Sequence, residues 1–179
     1  PIFAIVHNIG ARTRYSQAKR KGGQSYVDTK HKESERRATM TTLLSRLEQN
    51  DPSEENLVVS RDACFDLARL GNAIGENNRL RCLTIFRAHL LKGLDADKRA
   101  FLEGFHRNTS IDHLTLVNCS LSDGITSRQL LDECVTSSRV LTTVSILDCF
   151  MNDEGSRALA SAVTGSTSLR SIRILKCNT

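Results

Sequence analysis

The sequence predicts an α/β fold in which short parallel strands alternate with helices in a repeating, solenoid-like array. The six-residue segment 80–85 recurs at 111–116, 141–146 and 169–174, so that the copies begin 31, 30 and 28 residues apart. Large aliphatic residues stand at the first, fourth and sixth positions of every copy. Because self-similarity at a period of about 20–50 residues is typical of repeat architectures, each copy predicts one strand of a parallel sheet.

The segments around these copies predict helices. Residues 34–49 place four large apolar residues at helical spacing, and the turn residues 50–52 end that helix. We expect this helix to cap the array, because a terminal repeat needs a polar outer face over its exposed core. Further helices are predicted over 62–74, 95–106, 127–135 and 153–163, and a first short strand over 57–59. The apolar residues of the capping helix are Met40, Leu43, Leu44 and Leu47.

Charge divides the chain into a basic front and a nearly neutral array. Residues 1–50 carry ten Lys/Arg against four Asp/Glu, whereas residues 51–179 carry fifteen against sixteen. We therefore predict a basic, mostly irregular arm over 1–38, a capping helix and linker over 39–54, and the repeat array over 55–179. The chain lacks an initiator Met and stops directly after a repeat strand, from which we expect a piece of a longer protein with a truncated array.

The sequence carries no motif for catalysis, for phosphate binding or for metal ligation. No apolar run approaches the ~18 residues that a membrane span needs. We therefore expect no enzyme activity, no cofactor, no metal, no membrane association and no small-molecule substrate. The triplet that begins at Asn108 fits a glycosylation sequon, which matters only if the chain is secreted.

The repeated segments share a pattern that extends beyond the predicted strand. It reads L-x-x-L-x-L-x-x-N/C-x-L, and the copy that begins at residue 111 fits it at every position through Ile111, Leu114, Leu116, Cys119 and Leu121. The copies at 141 and 169 fit with residues of similar size, and the copy at 80 departs in carrying an alanine at position 88. At these residues the chain resembles the leucine-rich repeat family, specifically its long, ribonuclease-inhibitor-like class. The resemblance implies a right-handed β-α superhelix with the parallel sheet on its concave face.

The resemblance also accounts for three of the six cysteines. Cys119, Cys149 and Cys177 occupy the family position that points into the turn after each strand. A small buried thiol with a weak S–H donor suits that position, and the chain has no C-x-x-C pair. Reduced structural thiols favour an intracellular, cytoplasmic location, with which a nuclear one is also compatible.

The predicted binding surface is the concave face of the sheet. Successive side chains of a strand alternate between its two faces, so the residues between the inward aliphatics line that face in rows. One row is apolar in every repeat, and contiguous exposed apolar area often marks a binding site. The alternative is that strand ends simply carry β-forming residues, or that a further segment covers the row. The predicted partner-binding residues are Phe86, Val117, Leu147 and Leu175 in the apolar row, Thr84, Thr115, Ser145 and Arg173 in the row beside it, and Arg87 and Asp148 on the rim.

The function that these features favour is protein–protein recognition by a non-catalytic scaffold module. One alternative is regulation of a small GTPase, which some long-repeat relatives perform, although no matching arginine-bearing signature is present. Another is binding of nucleic acid or an acidic partner by the arm, which contains few aromatic residues for base stacking. The arm would bind through Arg12, Arg14, Lys19, Arg20 and Lys21.

Overall fold

The computed structural model describes residues 38–60, 66–86, 96–122 and 129–177. These residues form an α/β structure with one five-stranded parallel sheet, in which the strands follow one another in sequence order. The predicted α/β class and the parallel sheet are therefore confirmed. The strands are β1 (Asn56–Ser60), β2 (Cys82–Phe86), β3 (His113–Val117), β4 (Thr143–Leu147) and β5 (Ser171–Leu175).

Within the described ranges, five helical segments accompany the strands. They are α1 (residues 38–48), α2 (Leu67–Glu76), α3 (Ala96–Arg107), α4 (residues 129–136) and α5 (Asp153–Gly165). The last part of α4, Asp132–Thr136, is a π-helical turn that the sequence pattern did not predict. None of the helices in these described ranges has the length and apolar character to cross a bilayer.

The predicted register of the repeats is confirmed. Leu83, Leu114, Val144 and Ile172 are aligned across neighbouring strands. The second and fourth residues of β2, β3 and β4 are buried, whereas their first, third and fifth residues are half-buried or exposed. This alternation defines a core face, which packs into one hydrophobic cluster with the helices, and an opposite face that we call the open face.

Helices α2 and α3 contact each other backbone to backbone. A Cβ atom added at Gly104 would clash with the backbone carbonyl of Gly71, and one added at Gly71 would clash with the backbone of Ala100 and Phe101. Only glycine at both positions allows this close approach. The hydrophobic spacing used to predict the two helices carries no information about it.

Side-chain hydrogen bonds close the turns that lead into the strands. The Asn108 carbonyl oxygen accepts from the backbone N–H of Ser110 (2.8 Å) and Ile111 (2.7 Å), while its amide donates to the carbonyls of Ile74 (2.6 Å) and Asn77 (2.7 Å). Asn77 and Ser138 accept comparable bonds one repeat earlier and one repeat later. The Asn108 amide, which would carry a glycan, is thus buried and donates both of its hydrogen bonds to backbone carbonyls.

The two ends of the sheet differ in how their core residues are covered. At the β1 end, Leu57 and Val59 are each only 2% exposed, and the apolar side chains of α1 belong to the same core cluster. At the β5 end, Ile172 and Ile174 are 36% and 46% exposed, although they occupy core-face positions. The helix predicted over 34–49 is thus present over residues 38–48. The division into arm, cap and array stays a prediction, and residues 1–37 of the arm lie outside the described residues.

A charged cluster ties α1 to the loop before β1. Glu54 is buried, and its Oε1 lies 2.7 Å from Arg46 Nη1, although that N–H is not aligned for a hydrogen bond. The Arg46 Nε donates to Asp51 Oδ2 at 3.1 Å. Ser53 donates both its backbone N–H and its hydroxyl to Asp51 Oδ1, at 2.9 and 2.7 Å. A buried carboxylate is tolerated here because a guanidinium lies against it.

Candidate functional site

Three rows of side chains run across the open face. Because the strands pair without a shift, each row contains the residue at the same position of every strand. Neighbouring strands are about 4.8 Å apart, so four residues in a row span about 15 Å. From β2 to β5 the rows are Cys82, His113, Thr143 and Ser171; Thr84, Thr115, Ser145 and Arg173; and Phe86, Val117, Leu147 and Leu175.

The third row forms a continuous apolar stripe. Phe86, Val117 and Leu147 are half-buried, and Leu175 at the edge of the sheet is 58% exposed. The row beside it presents hydroxyl groups from three strands and the Arg173 guanidinium from the fourth. The open face therefore offers an apolar stripe flanked by neutral hydrogen-bonding groups on β2, β3 and β4 and by the Arg173 guanidinium on β5.

The rim beyond the stripe has a repeated backbone conformation. Asn118, Asp148 and Lys176 follow their strands directly and have φ values of 53°, 51° and 53°. Such left-handed geometry suits Asn and Asp, which tolerate it better than most residues, and is less favourable for lysine. The backbone N–H of Asn118 donates to the carbonyl of Leu147, and that of Asp148 donates to the carbonyl of Leu175, both at 2.9 Å. The rim side chains are therefore held at equivalent places in successive repeats.

Phe150 is an exposed aromatic residue beside this rim that the sequence-based prediction missed. It follows Asp148 by two residues, forms an isolated parallel bridge with Ser120, and is 51% exposed. Exposed aromatic residues are enriched among the side chains that dominate binding energy in protein interfaces. In the repeat alignment Phe150 occupies the variable position before Met151, and an aromatic residue at a variable surface position was the signal that could have identified it.

The titratable groups on the open face do not form an activated nucleophile. His113 Nδ1 lies 2.7 Å from Asp112 Oδ1, and Cys82 is the register partner of His113 on the next strand. Partial burial, followed by the negative charges of Asp112 and Glu55, raises the pKa of the Cys82 thiol. A nucleophilic cysteine needs the opposite shift, because the thiolate is the reactive form. In the part of the chain that the structure describes, no group of three or more His, Cys, Asp or Glu side chains is arranged to hold a metal.

The cysteines behind the rim form a ladder of thiols. Cys119 donates to the carbonyl of Ile85 at 3.5 Å, Cys149 to that of Leu116 at 3.5 Å, and Cys177 to that of Ile146 at 3.6 Å. Each thiol thus bonds the strand of the preceding repeat. Cys82, Cys119, Cys134, Cys149 and Cys177, which are the cysteines within the described ranges, form no disulfide. A hydrogen bond with the Cys119 thiol and burial raise the pKa of Cys149.

The structure brings nine of the ten predicted partner-binding residues together on the open face and its rim, and Arg87 lies outside the described residues. Their role in binding a partner stays a prediction.

Comparison with known proteins finds similarity at the level of the fold. No protein-family model and no curated protein sequence matches the chain. Among solved structures, leiomodin-1 actin-binding site 2 matches with a TM-score of 0.52 and 14% sequence identity, over 73% of this chain and 76% of that chain. The tropomodulin C-terminal domain of Caenorhabditis elegans matches with a TM-score of 0.47 and 13% identity, over 75% of this chain and 81% of that chain.

The assignment of the chain to the ribonuclease-inhibitor-like class is wrong. The leiomodin domain to which the chain is similar is not described as a member of that long-repeat class. The physical reason is that the repeated pattern describes only a strand and the turn after it, which different repeat proteins share. The class depends on the segments that return the chain to the next strand, and here they differ among themselves, since α3 has 12 residues whereas α4 ends in a π-helical turn.

Proposed function

We propose that this chain is a leucine-rich repeat domain that recognises another protein through the open face of its sheet and has no catalytic activity of its own. The observation that carries the proposal is the in-register apolar stripe from Phe86 to Leu175. A parallel strand that faces water at one side normally alternates apolar with polar residues. An apolar residue at the same open-face position of four successive strands therefore favours contact with a partner.

The surroundings of the stripe suit a protein partner. Protein interfaces combine an apolar centre with a polar rim, and their binding energy is concentrated in a few aromatic or arginine side chains. Here the stripe is flanked by the row of Thr84, Thr115 and Ser145, and Phe150 stands beside the rim at Asp148. We propose Phe150 and Leu147 as the anchors of the interface, because Phe150 is an aromatic side chain that is 51% exposed and Leu147 belongs to the apolar stripe three residues before it.

Actin is the partner to test first. The leiomodin structure with the same fold is described as an actin-binding site. The sequence identity of 14% extends the similarity to the fold alone, so actin binding by this chain is part of the proposal. The thiol ladder of Cys119, Cys149 and Cys177 agrees with this choice, because reduced buried thiols suit the intracellular compartment in which we propose that the protein works.

The test is a binding measurement with surface variants. The wild-type chain is titrated against purified monomeric and filamentous actin, and Val117→Glu and Leu147→Glu are compared with Ala160→Glu, which places the same charge on an exposed position of α5. We expect each stripe variant to lose about tenfold or more in affinity, which corresponds to about 1.4 kcal/mol, and the α5 variant to bind like the wild type. Circular dichroism checks that all three variants keep the fold.

The possible outcomes test the identity of the partner and the location of the binding surface independently. Absence of binding to either form of actin removes actin from the proposal. Equal binding by the wild type and both stripe variants, for any protein partner, removes the open face. Phe150→Ala then tests the anchor by itself, and we expect it to weaken binding more than Ser120→Ala, its bridge partner on the preceding repeat.

A further inference from the structure

We propose that Ser53 is a phosphorylation site, at which a phosphate group would release helix α1 from the β1 end of the array. Ser53 lies in the turn between α1 and β1, and its side chain is exposed. The turn lies outside the strands that form the open face. The proposal therefore goes beyond the function proposed above and can be tested without knowledge of the open-face partner.

The Ser53 hydroxyl group lies between a carboxylate and a guanidinium. It donates a hydrogen bond to Asp51 Oδ1 at 2.7 Å and accepts one from Arg46 Nη2. The backbone N–H of Ser53 donates to the same Asp51 oxygen at 2.9 Å. The two bonds from Ser53, followed by the bond from Arg46, lower the pKa of Asp51 to about 2, so this carboxyl group is ionised at neutral pH. The arrangement thus depends on a hydroxyl group that can donate a proton.

The same guanidinium compensates a buried charge. Arg46 Nε donates to Asp51 Oδ2 at 3.1 Å, while Nη1 lies 2.7 Å from Glu54 Oε1. Glu54 is only 1% exposed, and its Oε1 accepts no hydrogen bond from the described residues. The charge of Arg46 is therefore what makes the burial of this oxygen tolerable. A buried carboxylate that loses its positively charged partner is strongly destabilising.

A phosphate group on Ser53 would disturb both contacts. The modified oxygen has no proton to donate to Asp51, and the phosphate adds a charge of about −1.5 to −2 at neutral pH. The cluster of one guanidinium and two carboxylates would change from a net charge of −1 to about −3. Guanidinium groups form strong charge-assisted bonds with phosphate, so Arg46 would turn toward the phosphate. Glu54 would then be buried without a positive charge.

The consequence falls on α1, because this helix carries the guanidinium and its apolar side chains belong to the core cluster. Two polar contacts still connect α1 and its end to the first repeat. The Asn77 amide donates to the carbonyl of Leu47 at 2.8 Å, and the backbone N–H of Asn78 donates to Asn50 Oδ1 at 2.7 Å. Because units of a repeat array are stabilised by their neighbours, we expect opening of α1 and β1, while β3 and β4 stay closed.

The residues beside Ser53 indicate the class of enzyme that would act there. Asp51, Glu54 and Glu55 flank the serine, so charge complementarity favours a protein kinase with a basic substrate groove. In the reaction the Ser53 oxygen forms a bond to the γ-phosphorus of ATP. The bond from that phosphorus to ADP breaks, and the hydroxyl proton passes to the kinase. The exposed turn gives the enzyme access to the hydroxyl group.

The main experiment compares the full chain with and without phosphoserine at position 53. Residues 1–63 are synthesised as a thioester and ligated to an expressed fragment that begins at the natural Cys64. We expect backbone amides of α1 and β1 to exchange hydrogen about tenfold or more faster in the phosphorylated chain, and those of β3 and β4 to be unchanged. Carboxyl NMR should show that the pKa of Asp51 rises from about 2.

Variants identify the cause of the release. Ser53→Ala removes the hydroxyl bonds without adding charge and should speed exchange at β1 less than the phosphate does. Glu54→Gln removes the buried negative charge, so in this background the phosphate should lose most of its effect. Ser53→Glu is compared with Thr167→Glu, which adds the same charge to an exposed turn before β5. Exchange at β1 should become faster in the first of these two variants and stay unchanged in the second.

Three results would overturn the proposal. The first is unchanged or slower exchange at β1 in the phosphorylated chain, which would mean that Arg46 accommodates the phosphate without leaving Glu54. The second is an equal effect of the phosphate in the wild type and in Glu54→Gln, including failure of both phosphorylated chains to fold. Failure to fold in the wild-type background alone would support the proposal. The third is failure of a purified acid-directed serine kinase with ATP to phosphorylate Ser53 in the wild-type chain, measured by mass spectrometry.

Discussion

The two ends of the sheet carry large aliphatic residues at the same two core-face positions, yet these residues are buried at one end and exposed at the other. Leu57 and Val59 on β1 are buried, whereas Ile172 and Ile174 on β5 are exposed to a large extent. The strands themselves do not cause this difference, because both alternate aliphatic residues in the same register. The cause is the neighbour: α1 contributes its apolar face to the core next to β1, and no described segment does so beside β5. In a repeat array, burial is therefore a property of adjacent units.

The two ends also differ in their polar contacts: the β1 end has several, whereas the described residues at the β5 end have fewer. At the β1 end, Arg46, Asp51 and Glu54 form a cluster, and the Asn77 amide donates to the carbonyl of Leu47 at the end of α1 at 2.8 Å. At the β5 end, the basic residues Arg170 and Lys176 have exposed positions and no ion pair is present among the described residues there. Among the described residues, the β1 end is thus closed by polar contacts that have no counterpart beside β5.

The largest effect is expected from truncating the same kind of side chain at the two ends. Leu57→Ala should lower the free energy of unfolding by about 3 kcal/mol, because it leaves a cavity in a packed core. Ile174→Ala should lower it by only about 1 kcal/mol, because the side chain is 46% exposed and less apolar area is lost. Urea unfolding followed by circular dichroism measures both. Equal losses at the two ends would contradict the comparison and would indicate that β5 is covered.

A second prediction breaks the charged cluster at the closed end. Arg46→Met should cost about 2 kcal/mol, because it leaves the buried carboxylate of Glu54 without a positive charge. The loss stays below that of a fully buried pair since the Arg46 side chain is 38% exposed. Arg69→Met, which breaks the exposed pair with Glu48 (2.7 Å), should have a smaller effect. The double variant Arg46→Met with Glu54→Leu should recover most of the stability, and failure to recover would show that the charge of Glu54 is not the cause.

The repeated pattern was sufficient to predict the strands but not their surroundings. The alignment of Leu83, Leu114 and Val144 follows from the sequence because a side-chain period of two determines which face each residue occupies. The exposure of Ile174 could not be predicted this way, since it depends on what packs beside the strand. The contact of Gly71 with Gly104 depends on how closely two helix backbones approach each other. The π-helical end of α4 depends on which carbonyl each backbone N–H bonds. Hydrophobic spacing carries no information about either.

The same limit applies to the candidate site. The open-face rows could be predicted residue by residue, because they are the complement of the buried positions. The turn-closing role of Asn108 was missed because its amide bonds a carbonyl far away in the sequence, that of Ile74. The Glu54–Arg46 pair was missed because it depends on how the turn between α1 and β1 folds back, which hydrophobic spacing does not describe. The repeat class was mistaken for a related reason: the strand pattern was taken to describe the whole repeat, including the returning segments that it does not contain.

A third prediction compares two members of the thiol ladder. Cys177 is half-buried at the β5 end, whereas Cys149 occupies the same position one repeat earlier and is buried. In the native protein, iodoacetamide should modify Cys177 roughly tenfold or more faster than Cys149, which becomes reactive only when the repeat opens. Mass spectrometry of proteolytic fragments measures the two rates. Modification at equal rates would show that the end is no more open than the interior.

The smallest expected effect is a loss of stability at low pH, which should be larger at the β1 end of the sheet than at the β5 end. Hydrogen bonds from the Ser53 hydroxyl and backbone N–H, followed by the bond from Arg46, lower the pKa of Asp51 from 3.8 to about 2. A carboxyl group whose pKa is lower in the folded state stabilises that state above its unfolded pKa, and this contribution is lost as the pH falls from about 4 to about 2. Residues 164–177 contain no carboxylate side chain, so acid should loosen the β1 end and leave the β5 end unaffected.

Carboxyl NMR titration of Asp51 measures this shift directly. Ser53→Ala removes the hydroxyl donor and should move the pKa of Asp51 back toward 3.8. Ser45→Ala, on α1, removes a hydroxyl that does not contribute to the lowered pKa of Asp51, so it serves as the control and should leave that pKa unchanged. Hydrogen exchange at pH 3 should then be faster at β1 in the Ser53→Ala variant than in the wild type, with no change at β5. An Asp51 pKa near 3.8 in the wild-type chain would mean that the bonds from Ser53 and Arg46 to Asp51 do not contribute to closing the β1 end, and would leave apolar packing, the Arg46–Glu54 pair and the Asn77–Leu47 hydrogen bond to do so.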